Sequence, residues 1–89
     1  MQGYTKLHTT ELLTDPPLAA HTYQTPHRHP LGRRIVVKDR AGVTQFDTDD
    51  HTDIGNACDA VDQWATAMIK AGVLGLHRDF KESEKSRQR

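Results

Sequence analysis

Histidine is the residue type in this sequence with the clearest capacity for chemistry, because six of the 89 residues are histidine. Three of them, His21, His27 and His29, lie close together in the chain. On an extended segment His27 and His29 would point to the same side, as two metal ligands can. Zinc sites usually have four ligands, often including cysteine, and this chain has one cysteine. The pattern therefore favours solvated loop histidines, and we predict no metal and no cofactor.

Catalysis by a histidine base is the second chemical option. His27, Arg28 and His29 precede a basic strand and could cleave RNA, with arginine holding the phosphate. The order of basic strand, hairpin and helix resembles that of small toxin endoribonucleases, which would imply this activity, but no specific motif accompanies the resemblance. Cys58 lies on the apolar face of a predicted helix without a basic neighbour, so we expect a buried side chain rather than a nucleophile. We predict a non-enzymatic protein without catalytic residues.

The charges of the chain are segregated, although their sum is zero. Residues 31–40 contain four bases and one acid, and residues 41–63 contain six acids and no base. Such segregation creates local fields that can steer a charged partner. Acids at the start of a helix also complement its dipole, which explains part of the pattern but not the basic hairpin. The predicted acidic surface comprises Asp47, Asp49, Asp50, Asp53, Asp59 and Asp62, and the predicted basic patch comprises Arg28, Arg33, Arg34, Lys38 and Arg40.

Length and composition limit the fold to one small domain. The apolar fraction of 35% is low for a globular protein, and the charged fraction of 27% is ordinary. A core this lean is often completed by a partner or by self-association, so a homodimer is one option. No apolar run approaches the roughly 18 residues of a membrane span, and the N-terminal residues do not have the pattern of a secretory signal. With a single cysteine, a cytoplasmic protein without membrane contact is expected.

One long amphipathic helix, over residues 52–71, is the element that the sequence predicts most strongly. At about 100° per residue, its apolar side chains form a stripe roughly 140° wide. The stripe consists of Ile54, Ala57, Cys58, Val61, Trp64, Ala65, Met68 and Ile69. Thr52 is the predicted N-cap, and Gly72 is placed to end the helix in the left-handed conformation. We expect Trp64 to pack against the strands.

The residues before this helix predict a small antiparallel sheet. The apolar residues 35–37 and a short run bounded by Val43 and Phe46 flank a turn-like segment that ends in Gly42, which is typical of a β-hairpin. The three-residue spacing of Val43 and Phe46 breaks strict alternation and indicates a bulge. Residues 18–25 favour a third strand. The predicted class is α+β, with a hairpin or three-stranded meander packed against one C-terminal amphipathic helix.

The domain limits follow from the same patterns. We predict a weakly structured N-terminal segment over residues 1–17, in which residues 9–13 form at most one helical turn. A strand over residues 4–7 fits the sequence equally well. Residues 18–76 form the single predicted domain, and residues 77–89 are predicted to be a charged, flexible tail.

Three functional hypotheses remain. The first is a protein-binding module that blocks a basic groove on a host protein or ribonucleoprotein complex with its acidic surface. This profile is typical of small inhibitors made by phages and mobile elements, including CRISPR inhibitors. The alternative is a DNA- or RNA-binding module that uses the basic hairpin, with Tyr23 as the aromatic placed for base stacking. A toxin-type endoribonuclease is the third.

Overall fold

The architecture, taken from a computed structural model that describes residues 2–26 and 30–76, is a four-stranded sheet with one helix packed on it. The elements are β1 (Thr5–Leu12), β2 (Thr14–Asp15), β3 (Leu18–Gln24), β4 (Arg33–Asp39), β5 (Thr44–Asp47), α1 (Ile54–Lys70) and β6 (Gly75–Leu76). Strands β1, β3, β4 and β5 form an antiparallel sheet in that order, and β2 pairs with β6. The predicted α+β class is confirmed, with one more strand in the main sheet than the three expected.

The N-terminal segment differs most from the expectation. Residues 5–12 form a strand that pairs with β3, so the prediction of weak structure or a helical turn is wrong for them, and a strand was the better alternative. Seven of the eight residues of β1 are exposed. Because neither face of this edge strand is buried, its sequence lacks the apolar alternation by which a strand is recognised. The sequence of β1 gives a weak strand signal because its side chains are exposed, not because the segment lacks structure.

The core lies between the sheet and α1. Side chains alternate along a strand, and the residues of β3 and β4 that face the helix are small or medium-sized and apolar. Ala20 lies opposite Val37 in the register of these two strands, and Val37 is fully buried. The buried cluster consists of Leu18, Ala20, Ile35, Val37, Ala57, Val61 and Leu74. We call the face of the sheet that covers this core the inner face, and the opposite face the outer face.

The hairpin between β4 and β5 forms as predicted. Gly42 has a φ of 83°, which the connection requires. The register of the two strands shifts between Val37 and Lys38, so the bulge indicated by the sequence is present. The shift brings Phe46 opposite Val37 on the inner face, where it packs against the core, and leaves Val43 exposed.

The ends of α1 are set by local capping. Asp53, not the predicted Thr52, is the N-cap, and its carboxylate accepts a hydrogen bond of 2.9 Å from the backbone N–H of the third helical residue. At the other end Gly72 has a φ of 77°, and the N–H of Val73 donates to the carbonyl of Met68 at 2.9 Å. This is a Schellman motif, so the predicted helix end is confirmed.

The buried stripe of α1 is narrower than the sequence predicts. Ala57 and Val61 are buried, and Trp64 is half-buried, whereas Ile54 and Ile69 are 42% and 36% exposed. A helix on a small sheet contacts it along a narrow line, so apolar residues at the margins of the stripe remain in water. With 17 residues and charged groups on its surface, α1 is too short and too polar to cross a bilayer, and it is the one helix in the described part of the chain.

Candidate functional site

The predicted acidic surface is divided by the structure into two groups. Three of its members, Asp47, Asp50 and Asp53, accept hydrogen bonds from groups of this same chain. The other three, Asp49, Asp59 and Asp62, are exposed. The hydrogen bonds of the first group contribute to the fold. Asp49, Asp59 and Asp62 present their charge to the solvent, and so does the exposed Asp53.

A bidentate ion pair on the outer face joins the predicted acidic surface to the predicted basic patch. The guanidinium of Arg34 on β4 donates to both carboxylate oxygens of Asp47 on β5, with 2.8 Å between Nε and Oδ1. Their side chains are 22% and 29% exposed. Hydrogen bonding from Arg34 lowers the pKa of Asp47, and hydrogen bonding to Asp47 raises the pKa of Arg34. Each charge neutralises the other, so neither forms a separate binding surface.

Tyr4 extends this ion pair into a network. Its ring centroid lies 5.3 Å from Cζ of Arg34, which is a cation–π distance. Its hydroxyl donates to Oδ1 of Asp50 at 2.7 Å. The contacts tie the residues before β1 to the connection between β5 and α1. Sequence reasoning did not find Tyr4, because its partners lie 30 and 46 positions away.

The predicted basic patch is dispersed. Arg33 and Arg34 are neighbours on a strand and so point to opposite faces of the sheet. The guanidinium of Arg33 donates to two carbonyl oxygens of the preceding loop at 2.8 and 2.9 Å. Lys38 lies on the outer face, Arg40 lies in the exposed turn, and Arg28 lies outside the described residues. Of the described members of the patch, Arg34 and Lys38 share the outer face, whereas Arg33 and Arg40 lie elsewhere.

Of the three clustered histidines, only His21 falls on described residues, and His27 and His29 lie outside them. His21 is on the outer face of β3, with 3.2 Å between its Nδ1 and Oγ1 of Thr9. Partial burial lowers the pKa of His21, and the charges of Lys6 and Lys38 lower it further. In residues 2–26 and 30–76, no three histidine, cysteine or carboxylate side chains are grouped as metal ligands.

Cys58 is exposed, and the expectation of a buried side chain is wrong. It lies at the margin of the apolar stripe of α1, beyond the reach of the sheet. Partial burial raises the pKa of its thiol, and the carboxylates of Asp62 and Asp59 raise it further. The thiol is therefore protonated at neutral pH and is a poor nucleophile.

The outer face carries a shallow polar depression of about 280 Å³. It is lined by Tyr23, Arg34, Val36, Lys38, Thr44 and Asp47. Tyr23 lies in register between Lys6 on β1 and Arg34 on β4, so an aromatic ring is flanked by two cations across the strands. This arrangement combines a stacking surface with hydrogen-bond donors, but Asp47 offsets one of the charges.

An apolar cleft that the sequence analysis did not identify lies where the C-terminal end of α1 meets the sheet. It encloses about 310 Å³ and is lined by Pro16, Leu18, Asp39, Gln45, Trp64, Met68, Val73 and Leu74. The Trp64 ring stacks on Phe46 with 5.1 Å between centroids and 9° between planes, which holds one wall in place. Val73 is 61% exposed at the rim. The sequence contains one signal for this cleft. Two apolar residues, Val73 and Leu74, directly follow Gly72, beyond the end of the helix.

Comparison with known proteins does not add to this description, because no family model, no curated protein and no solved structure matches the chain. The candidate sites must be interpreted from their own geometry. They are the apolar cleft, the polar depression on the outer face and the exposed carboxylates of α1.

Proposed function

We propose that this protein is a non-catalytic protein-binding module that receives an apolar segment of its partner in the cleft between α1 and the sheet. The observation that supports this most is the composition of the cleft, with walls that include Trp64 and Met68 and a rim that includes Asp39 and Gln45. Protein interfaces combine an apolar centre with a polar rim and are enriched in tryptophan and methionine.

The rim of the cleft is held in one conformation by hydrogen bonds. The Asp39 carboxylate accepts from the backbone N–H groups of Ala41 and Val43, both at 2.9 Å. It also accepts from the side-chain amide of Gln45 at 3.1 Å. A rim and an aromatic wall that are already ordered lower the entropy lost on binding. This organisation favours a binding surface over an incidental gap between elements.

The narrower hypothesis from the sequence is an inhibitor of a nucleic-acid-handling host complex. For this role Asp49, Asp59 and Asp62 would steer the module towards a basic partner surface. Their exposure is compatible with such a contact. Asp47, Asp50 and Asp53 already accept internal hydrogen bonds, so the fold would share these carboxylates with the partner. An origin in a phage or mobile element, a host partner and a cytoplasmic location remain predictions.

The cleft is tested with a random peptide library selected on the immobilised full-length protein. We expect enrichment of peptides with aromatic or aliphatic anchors. Val73→Asp, which places a charge at the rim, should weaken their binding by about tenfold or more, as measured by titration calorimetry. Leu31→Asp is the matched control, since Leu31 is similarly exposed, at 65%, but does not line the cleft. Failure to select any peptide, or equal affinity for Val73→Asp and wild type, would refute the proposal.

A nucleic-acid-binding module is the second candidate, and the row formed by Lys6, Tyr23 and Arg34 on the outer face favours it. Fluorescence anisotropy with single-stranded DNA and RNA at low salt tests this candidate. Tyr23→Ala and Lys38→Ala should each weaken binding, because they remove a stacking ring and a phosphate contact. Lys70→Ala, in the exposed last turn of α1 and away from the outer face, is the control. Absence of binding by the wild-type protein at low salt would exclude this candidate.

A further inference from the structure

The longest edge of the sheet is formed by β1. This strand pairs with β3 on one side, and on its other side no strand of residues 2–26 or 30–76 pairs with it. Its eight residues contrast with the four of β5 at the opposite edge. The unpaired N–H and C=O groups of an edge strand are a template for another strand. A surface of this kind favours an extended partner.

The distribution of charged side chains along β1 indicates which extended partner can pair with this edge. Lys6, Thr9 and Glu11 lie opposite Tyr23, His21 and Ala19, so all three are on the outer face. Lys6 and Glu11 are five positions apart, and a regular strand would place them on opposite faces. The bulge at Leu7, between Lys6 and His8, brings them to the same face. One face of the edge therefore has a positive end and a negative end.

We propose that two copies of this chain associate through β1 as antiparallel neighbours, with the twofold axis at Thr9. In this register Thr9 faces Thr9 of the second copy, and His8 faces Thr10. The extra residue at each bulge then brings Glu11 opposite Lys6 of the second copy, and the symmetry makes this contact twice. Opposite charges that face each other across strands stabilise the pairing, whereas like charges destabilise it.

Alternative pairings lack this complementarity. An in-register parallel arrangement would place each lysine beside a lysine and each glutamate beside a glutamate. The charges on β1 therefore select the antiparallel register instead of only preventing association, which is a common role of charge at an edge. The dimer would contain a continuous eight-stranded sheet. None of the residues lining the apolar cleft belongs to β1, so both clefts would remain open.

The proposal is tested by charge reversal and sedimentation equilibrium of the full chain. Wild type is expected to have twice its chain mass of 10.0 kDa at sub-millimolar concentration. Lys6→Glu produces two glutamate pairs, and Glu11→Lys produces two lysine pairs. Each change should raise the dissociation constant about tenfold or more. The double variant restores opposite charges and should recover the wild-type constant.

Mixing the two single variants sharpens the test. A heterodimer of Lys6→Glu with Glu11→Lys places opposite charges at both positions, so the mixture should dimerise more strongly than either variant alone. Lys38→Glu, on the outer face of β4 away from this edge, is the control for charge reversal and should retain the wild-type mass. Circular dichroism establishes that each variant is folded. A monomeric wild type, or single variants that dimerise as strongly as wild type, would overturn the proposal.

Discussion

The two faces of β4 reach the same degree of burial by different means. Val37, on the inner face, is fully buried among apolar groups of the sheet and α1. Val36, on the outer face, is only 5% exposed although α1, the helix of the described residues, packs on the opposite face. Its neighbours in the depression include Tyr23, Arg34 and Lys38. Long polar side chains can cover apolar surface with their stems and leave their charged ends in water.

The difference shows that burial by itself does not identify the core of this protein. On the inner face, Val37 is surrounded by apolar groups, and their packing is what stabilises that position. On the outer face, carboxylate, guanidinium and hydroxyl groups stand beside the buried valine. We therefore expect the inner face to determine stability, and the outer face to tolerate change while it sets the geometry of the surface.

The largest difference is expected between the aromatic residues of the two faces. Trp64→Ala removes a half-buried ring that stacks on Phe46, and we expect a loss of about 3 kcal/mol in the free energy of unfolding. Tyr23→Ala removes a half-buried ring from the outer face, and we expect a loss of about 1 kcal/mol. Urea denaturation measures both values. Equal losses would mean that the two faces contribute equally to stability.

Neighbouring valines provide a test with nearly identical shape. Val37→Thr places a hydroxyl in the apolar core, where the absence of a partner should cost about 2 kcal/mol. Val36→Thr places the same hydroxyl beside polar groups and water, and the cost should be below about 1 kcal/mol. Urea midpoints of the two variants give the comparison directly. A larger loss for Val36→Thr would contradict the assignment of the faces.

The smallest effect is expected for the ion pair on the outer face. Arg34 lowers the pKa of Asp47 in the folded protein below the value of about 3.9 for an unfolded chain. The pair therefore stabilises the fold above that unfolded value, and its contribution is lost as the pH falls through the folded pKa. Because the pair is partly exposed, we expect Asp47→Asn to cost only about 1 kcal/mol at neutral pH.

Urea denaturation as a function of pH checks this expectation. The difference between wild type and Asp47→Asn should shrink as the solution becomes acidic. Asp49→Asn is the control, since the Asp49 carboxylate is 88% exposed and lies 3.9 Å from Arg34. If Asp49→Asn lost as much stability as Asp47→Asn, the stabilising ion pair of Arg34 would not be specific to Asp47.

The parts of the fold that were predicted are those with a strong local signal. The helix was predicted because its apolar residues recur at helical spacing, and its end because Gly72 supports a left-handed cap. The hairpin was predicted from two apolar runs around Gly42. Strand β1 was not, because an exposed strand has no buried side to produce a pattern. Cys58 was misplaced because periodicity gives the direction of a stripe but not the width of the surface that covers it.

The candidate sites were less accessible to prediction than the fold. The types and clustering of the charges were evident, but their partners were not. Arg34 and Asp47 were assigned to different surfaces, and they form one ion pair. The apolar cleft requires residues of β3, β4 and β5 to converge with the end of α1 and the segment that follows it, and no short segment contains that information.

By itself, the sequence determined the helix and its end, the hairpin and the imbalance of charge between segments. These features depend on interactions between residues that are a few positions apart in the chain. Only the tertiary structure decided which charges meet, which apolar residues stay in water and which strand forms the edge. These outcomes depend on contacts between distant positions, such as Tyr4 with Asp50. Such contacts exist only after the sheet has brought the strands together.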